Sequence, residues 1–133
     1  MNKELQEKIL IFFPTYNSEK TIRDVLSTIP SSISDLSYEI LILDDCSQDA
    51  TFKIALAYKE KLNHLNINIL RNRESQGYGG NQKIGFHYAI KNQFNTLVVF
   101  PPDGKYSLSH IQLLIEMFKD SGVDMVLGSR INT

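Results

Sequence analysis

The order and period of the apolar residues predict an α/β fold, a mostly parallel sheet with helices on both faces. Three observations carry this reading. Short apolar runs alternate with stretches of helical period, in the order strand, helix, strand, helix, strand, helix, strand, helix, strand. The runs Ile9-Leu10-Ile11-Phe12-Phe13 and Ile40-Leu41-Ile42-Leu43 are too continuously apolar for strands with one wet face. Carboxylates follow directly on two of the runs, Asp44-Asp45 after Tyr38–Leu43 and Asp103 after Thr96–Phe100. Ligands of open parallel sheets bind just beyond the carboxyl ends of the strands, so these acids mark the functional end.

Each element has its own warrant. The first strand, Ile9–Phe13, is expected to end at Pro14. Ser18 is a candidate N-cap for a helix whose core stripe is Ile22, Val25, Leu26 and Ile29 and which Pro30 should stop. The second strand is Tyr38–Leu43. Ser47 or Asp49 can cap a helix over about 50–62, with Ile54, Ala55, Tyr58 and Leu62 inward. Ile67-Asn68-Ile69-Leu70 is a weaker third strand. The glycine-rich Gly77-Tyr78-Gly79-Gly80 reads as a loop leading into a helix over about 81–93, with Phe86, Ala89, Ile90 and Phe94 toward the sheet. The fourth strand, Thr96–Phe100, precedes a helix carrying Ile111, Leu114, Ile115 and Phe118. Val123-Asp124-Met125-Val126-Leu127 is expected to be a fifth strand.

Composition narrows the function. The 133 residues fit one domain, and 42% hydrophobic content supplies a core. Fourteen basic against fifteen acidic residues leave a net charge of −1, which argues against an electrostatic nucleic-acid binder. The single cysteine, Cys46, excludes an intrachain disulfide and any cysteine-only zinc site. The charged start, Met1–Lys8, is unlike a signal peptide, and no apolar stretch approaches the roughly 18 residues of a membrane span.

Right-handed crossovers place the first three strands side by side, and a switch in direction puts the fourth beside the first. Three segments then meet at one crevice: Pro14-Thr15-Tyr16-Asn17, Asp44-Asp45 and Pro101-Pro102-Asp103-Gly104. An aromatic ring and an amide suit a base, carboxylates suit ribose hydroxyls or base N–H groups, and a further carboxylate suits a divalent cation. That chemistry fits a metal-bridged nucleotide diphosphate.

Five motifs, Pro14-Thr15-Tyr16-Asn17, Asp44-Asp45-Cys46-Ser47-Gln48-Asp49-Ala50-Thr51, Gly77-Tyr78-Gly79-Gly80-Asn81, Asp103-Gly104-Lys105-Tyr106 and Gly128-Ser129-Arg130, stand in this order. Together they resemble the nucleotide-binding half of family 2 glycosyltransferases of the Rossmann-like GT-A fold. The last three lean toward dolichyl- or polyprenyl-phosphate sugar synthases. The resemblance covers about 9–130 and implies a single nucleotide-sugar-binding domain over 1–133. It implies inverting transfer of a sugar from a UDP- or GDP-linked donor to a polyprenyl phosphate or a glycan hydroxyl. It also implies Mg²⁺ or Mn²⁺ as cofactor and a cytoplasmic location, at the membrane face for lipid acceptors.

By motif, Pro14, Thr15, Tyr16 and Asn17 would line the base and ribose pocket, and Asp44 or Asp45 would hold the uracil or guanine edge and ribose. Asp103 would ligate the cation, Lys83 would add positive charge near the phosphates, and Arg130 would contact a donor or acceptor phosphate.

Two departures from the family pattern stand out. The Asp-X-Asp signature is here Pro101-Pro102-Asp103, with one carboxylate. The family's general base and acceptor elements lie beyond Gly128-Ser129-Arg130, so the reading expects a domain incomplete at its C-terminal side, with no catalytic base in this chain. Two alternatives stay open, a non-catalytic nucleotide-sugar binding module and a sugar nucleotidyltransferase. The latter is disfavoured because a basic glycine-rich loop does not follow the first strand.

Blander readings compete at single residues. Asp44-Asp45 would simply open a turn. Ser47 and Asp49 would be helix caps, and Cys46 a small turn residue where the family usually has glycine. His64, His87 and His110 would be solvated surface, without metal-ligand spacing.

Overall fold

The run from Ile9 is buried along its whole length because it forms the interior of the sheet. In the computed structural model, which describes residues 7–32 and 37–129, β1 (Ile9–Thr15) pairs in parallel with β2 (Tyr38–Asp44) on one side and β4 (Thr96–Val99) on the other. β3 (Ile67–Arg71) flanks β2, giving the order β3-β2-β1-β4, all parallel. The switch in direction beside β1 is the one the crossover argument requires.

Alternation along β1 divides the core between two faces. Ile9, Ile11 and Phe13 pack with α1 (Ile22–Ser32), α2 (Thr51–Lys61) and α4 (Ile111–Ser121), which follows a 3-10 turn at Leu108–His110. Leu10 and Phe12 face the other way, with Leu41, Leu43 and Ala89 of α3 (Gly77–Lys91). The inner stripes expected of α1 and α2 are in place, and of the α4 stripe Ile111 and Ile115 are buried in the core while Leu114 and Phe118 are half-buried.

Five expectations give way. β1 continues through Pro14 to Thr15, with Pro14 opposite Leu43. Phe12 O accepts the Phe100 N–H and Thr15 O accepts the Asp45 N–H, so alternate residues bond alternate neighbours and Pro14 faces the β4 side. The β1–β4 register ends at Phe12 opposite Val99, so Pro14 forfeits no ladder bond. α1 likewise runs past Pro30 to Ser32, because a proline in the last turn costs one hydrogen bond rather than the helix.

The glycine-rich segment is the first turn of α3, not a loop before it. The face of α3 against the sheet is Asn81, Gly85 and Ala89, while Phe86 and Ile90 are exposed. Its close approach decides this. A Cβ at Gly85 would lie 2.1 Å from Phe12 Cε1, so the Phe12 ring occupies the space a larger residue would need. Finally, 123–127 joins no sheet among the described residues, and Met125 and Leu127 are 72% and 83% exposed. Apolar alternation makes a strand only where another strand satisfies its backbone.

Candidate nucleotide-binding crevice

At the carboxyl end of β2 the two carboxylates point into different networks. Asp44, buried, accepts the Ser47 N–H at 3.1 Å and the Ser47 hydroxyl at 2.5 Å, and its Oδ2 lies 3.4 Å from Arg71 Nε. Arg71 also donates to Ser47 O at 2.9 Å. Asp44 thereby closes the turn after β2 against the end of β3.

Asp45, buried as well, turns toward the β3–α3 connection. Its Oδ1 accepts from Gln76 N at 2.7 Å and Asn72 Nδ2 at 2.9 Å, and its Oδ2 from Ser75 Oγ at 3.1 Å. Gln76 is the N-cap of α3 but caps nothing with its own side chain. Asp45 supplies the capping carboxylate from another strand, where the helix dipole favours it. Burial pushes the Asp45 carboxyl up, but the donors from Gln76, Asn72, Ser75 and Gly77 outweigh it and hold the group below its ordinary value. The crevice therefore keeps an ionised carboxylate near its floor at neutral pH.

The segment after β1 is tied to the same turn. Asn17, at φ 45°, donates its N–H to Ser47 Oγ at 2.9 Å, and its side-chain oxygen accepts the Gln48 N–H at 2.9 Å. Thr15 is buried, with its hydroxyl on Phe13 O. Tyr16 projects, 54% exposed, and Asn17 beside it is exposed as well. The N-cap of α2 is Ala50, which has no capping side chain; Asp49, one residue earlier, accepts the Thr51 N–H at 3.0 Å, and Ser47 serves Asp44 instead. Cys46, at φ 59°, donates to Asn72 O.

The segment after β4 is held to α1 rather than to the carboxylates. Thr21 Oγ1 donates to Pro102 O at 2.6 Å, and Phe100 packs edge-on to Phe13 with ring centroids 5.7 Å apart. Asp103 is exposed, accepting the Lys105 N–H at 3.0 Å with Lys105 Nζ 3.9 Å away. Among the described residues no three His, Cys, Asp or Glu side chains converge on a point. One accessible carboxylate fits a cation that arrives with diphosphate oxygens and water completing its shell, rather than an all-protein cage.

The structure thus joins Pro14, Thr15, Asn17, Asp44 and Asp45 through β1, β2 and the turn between β2 and α2. Lys83 is exposed on α3, outside this hydrogen-bonded cluster, and Arg130 lies outside the described residues. His64, His87 and His110 are exposed. Sequence reasoning misses Arg71, Asn72 and Ser75, and gives Asn81 only as the last residue of the glycine-rich motif, without a role. The rule that sites gather beyond strand ends points equally to Arg71-Asn72 at the end of β3, but the weak apolar pattern of that strand hides it.

A parallel α/β sheet with carboxylates at its carboxyl edge defines a Rossmann-like domain. The sequence profile of Glycosyl transferase family 2 matches residues 10–133, and the chain belongs to that family. It is 30% identical to a dolichol-phosphate mannosyltransferase of Pyrococcus furiosus over 92% of this chain and 33% of that protein. It superposes on Staphylococcus aureus TarS in complex with UDP at a TM-score of 0.62, with 22% identity, covering 86% of this chain and 32% of that one. A mannosyltransferase of Pyrobaculum calidifontis in complex with GDP-Man and Mn²⁺ gives a TM-score of 0.55 at 21% identity, covering 61% and 24%. The fold is of the GT-A type, and the chain spans about a third of the length of the first two proteins.

Proposed function

We propose that this chain is the donor-binding part of an inverting glycosyltransferase that moves a sugar from a UDP- or GDP-linked donor to a polyprenyl phosphate or a glycan hydroxyl. The observation that carries the reading is the ionised Asp45 at the end of β2, close in sequence to Asp44 and in the same end of the sheet as the projecting Tyr16. Four protein donors, from Gln76, Asn72, Ser75 and Gly77, already reach this carboxylate, and a ligand N–H would meet it at Oδ2 by displacing the longest of the measured contacts, the Ser75 hydroxyl at 3.1 Å. A fixed acceptor selects ligand donors. Uracil and guanine present an N–H at the middle of their pairing edge, whereas cytosine and adenine present a bare nitrogen there. The same chemistry accepts ribose hydroxyls.

Pro14, Thr15 and Asn17 shape the wall next to Tyr16, whose ring supplies a stacking surface. Asp103 would hold Mg²⁺ or Mn²⁺, which when bound offsets the charge growing on the departing diphosphate. The exposed Lys83, and by motif Arg130, are the candidate cations for donor or acceptor phosphates. Inversion requires the acceptor to attack from the face opposite the leaving group. A phosphate acceptor arrives ionised, whereas a hydroxyl acceptor needs a base, and none of the described residues is assigned that role. Relatives named for dolichol phosphate support the lipid-phosphate acceptor and work at a membrane surface. No described helix is long and apolar enough to cross one. A second reading, a nucleotide-sugar binding module without turnover, is favoured by the single carboxylate of Pro101-Pro102-Asp103.

Thermal unfolding against UDP, GDP, CDP, ADP and the sugar conjugates of the first two, each with and without Mn²⁺, tests the proposal. A ligand at about 100 times its Kd adds roughly 2.7 kcal/mol, several degrees for a domain of this size. The expected result is a Mn²⁺-dependent shift with UDP or GDP alone, lost in Asp103→Ala. No shift with any nucleotide overturns the donor reading, and a shift indifferent to Mn²⁺ removes Asp103 from it.

A further inference from the structure

Asn81 is buried in the first turns of α3, a poor place for an amide that favours caps and turns. The helix does not need it to dock, because Gly85 and Ala89 make the close contact with the Phe12 layer. Both ends of the amide are nevertheless used. Nδ2 donates to Leu43 O at 3.1 Å, and Oδ1 accepts Asn72 Nδ2 at 2.8 Å. The same Asn72 nitrogen donates to Asp45 Oδ1 at 2.9 Å. Asn72 is in turn pinned by its own backbone, its N–H on Asp44 O at 2.9 Å and its carbonyl receiving the Cys46 thiol.

Resting on the donor-site reading above, we propose that Asn81 is a positioning residue for the nucleotide, acting through Asn72 on the Asp45 carboxylate. The chain of bonds runs from the end of β2, through α3, to the end of β3 and back to β2. Its geometry is specific. Asn72 Nδ2 has two acceptors, and the one on Asn81 holds the amide in the rotamer that meets Asp45. With that acceptor removed, the Asn72 amide swings toward solvent. Asp45 then keeps Gln76, Ser75 and Gly77, which pull it toward the α3 cap and away from the ligand. The consequence is a loss of nucleotide affinity without undocking of α3, from a residue that touches no ligand atom.

The test is UDP and GDP affinity by calorimetry, with Mn²⁺, at a temperature well below the unfolding midpoint. Asn81→Ala and Asn72→Ala are each expected to raise Kd about tenfold, on the order of one charge-assisted hydrogen bond. The double variant is expected to bind no worse than Asn72→Ala, because both act through one circuit. An Asn81→Ala chain with a lower midpoint and wild-type Kd makes Asn81 merely structural and overturns the proposal, as does additivity in the double variant. Should Asn81→Ala fail to fold, Asn72→Ala on an Asp45→Asn background decides. No further loss supports the circuit, and an additive loss overturns it. Wild-type chain that binds neither nucleotide fails the donor-site reading itself, and this inference falls with it.

Discussion

Asp45 carries more of this molecule than a turn residue would. Three residues of the β3–α3 connection, Asn72, Ser75 and Gln76, send donors to it, and its ionised form is the one they stabilise. The sign of the pH effect follows. Because the folded carboxyl titrates below its ordinary value of 3.8, its stabilisation is complete above that value and is lost as pH falls through the lower folded value. Asp49 behaves alike, since burial raises it but the Thr51 hydroxyl and the Thr51, Glu19 and Asp49 N–H groups outweigh that and lower it. We expect the unfolding midpoint to be flat near neutrality and to fall as pH drops below about 4. In Asp45→Asn that acid limb should be shallower and stability at pH 7 lower by about 1–3 kcal/mol, as donors lose a charged partner. An unchanged acid limb would show that Asp45 is not held ionised by its neighbours.

Helix α3 shows how a pattern of apolar residues misleads at the scale of an element. Phe86 and Ile90 invite an inward stripe, yet the inward positions are Asn81, Gly85 and Ala89. The sheet side already carries a bulky residue, Phe12, and the helix above it must be small. Gly85→Ala therefore forces the Phe12 ring or the helix to move, and we expect a loss of about 1–3 kcal/mol, read as a lower denaturation midpoint in urea. Helix propensity alone predicts the reverse, a gain of up to about 1 kcal/mol. The sign of the change separates the two accounts. The proline errors share one origin, because whether a missing N–H matters depends on which neighbour it would have faced.

Across the whole molecule, protection should follow position in the sheet. Native-state hydrogen exchange is expected to be slowest in β1 and β2, the strands paired on both sides, and fast over 123–129, where no regular element is formed. Bound nucleotide should add protection at 15–17, 45–48 and 72–77, the three segments tied to the crevice. Protection over 123–127 comparable to β1 would mean that this segment pairs as a strand after all. Protection added only at 101–105 would move the site away from the β2 end.

The sequence by itself determined the class of fold, the order β3-β2-β1-β4 and the carboxylates at its functional edge. These rest on local chemistry: continuous apolar runs, helical period, and the handedness of parallel crossovers, which leave few topologies open. The family motifs were legible for the same reason, being short and in order. Only the tertiary structure decided what each carboxylate does and which neighbours hold it. Asp44 meets Arg71, and Asp45 meets Asn72, Ser75 and Gln76, across 27 to 31 positions of chain that no local pattern connects. Hydrogen-bond partners are chosen by distance in the folded state, and a buried amide such as Asn81 looks like an error until the strand ends it joins are in place.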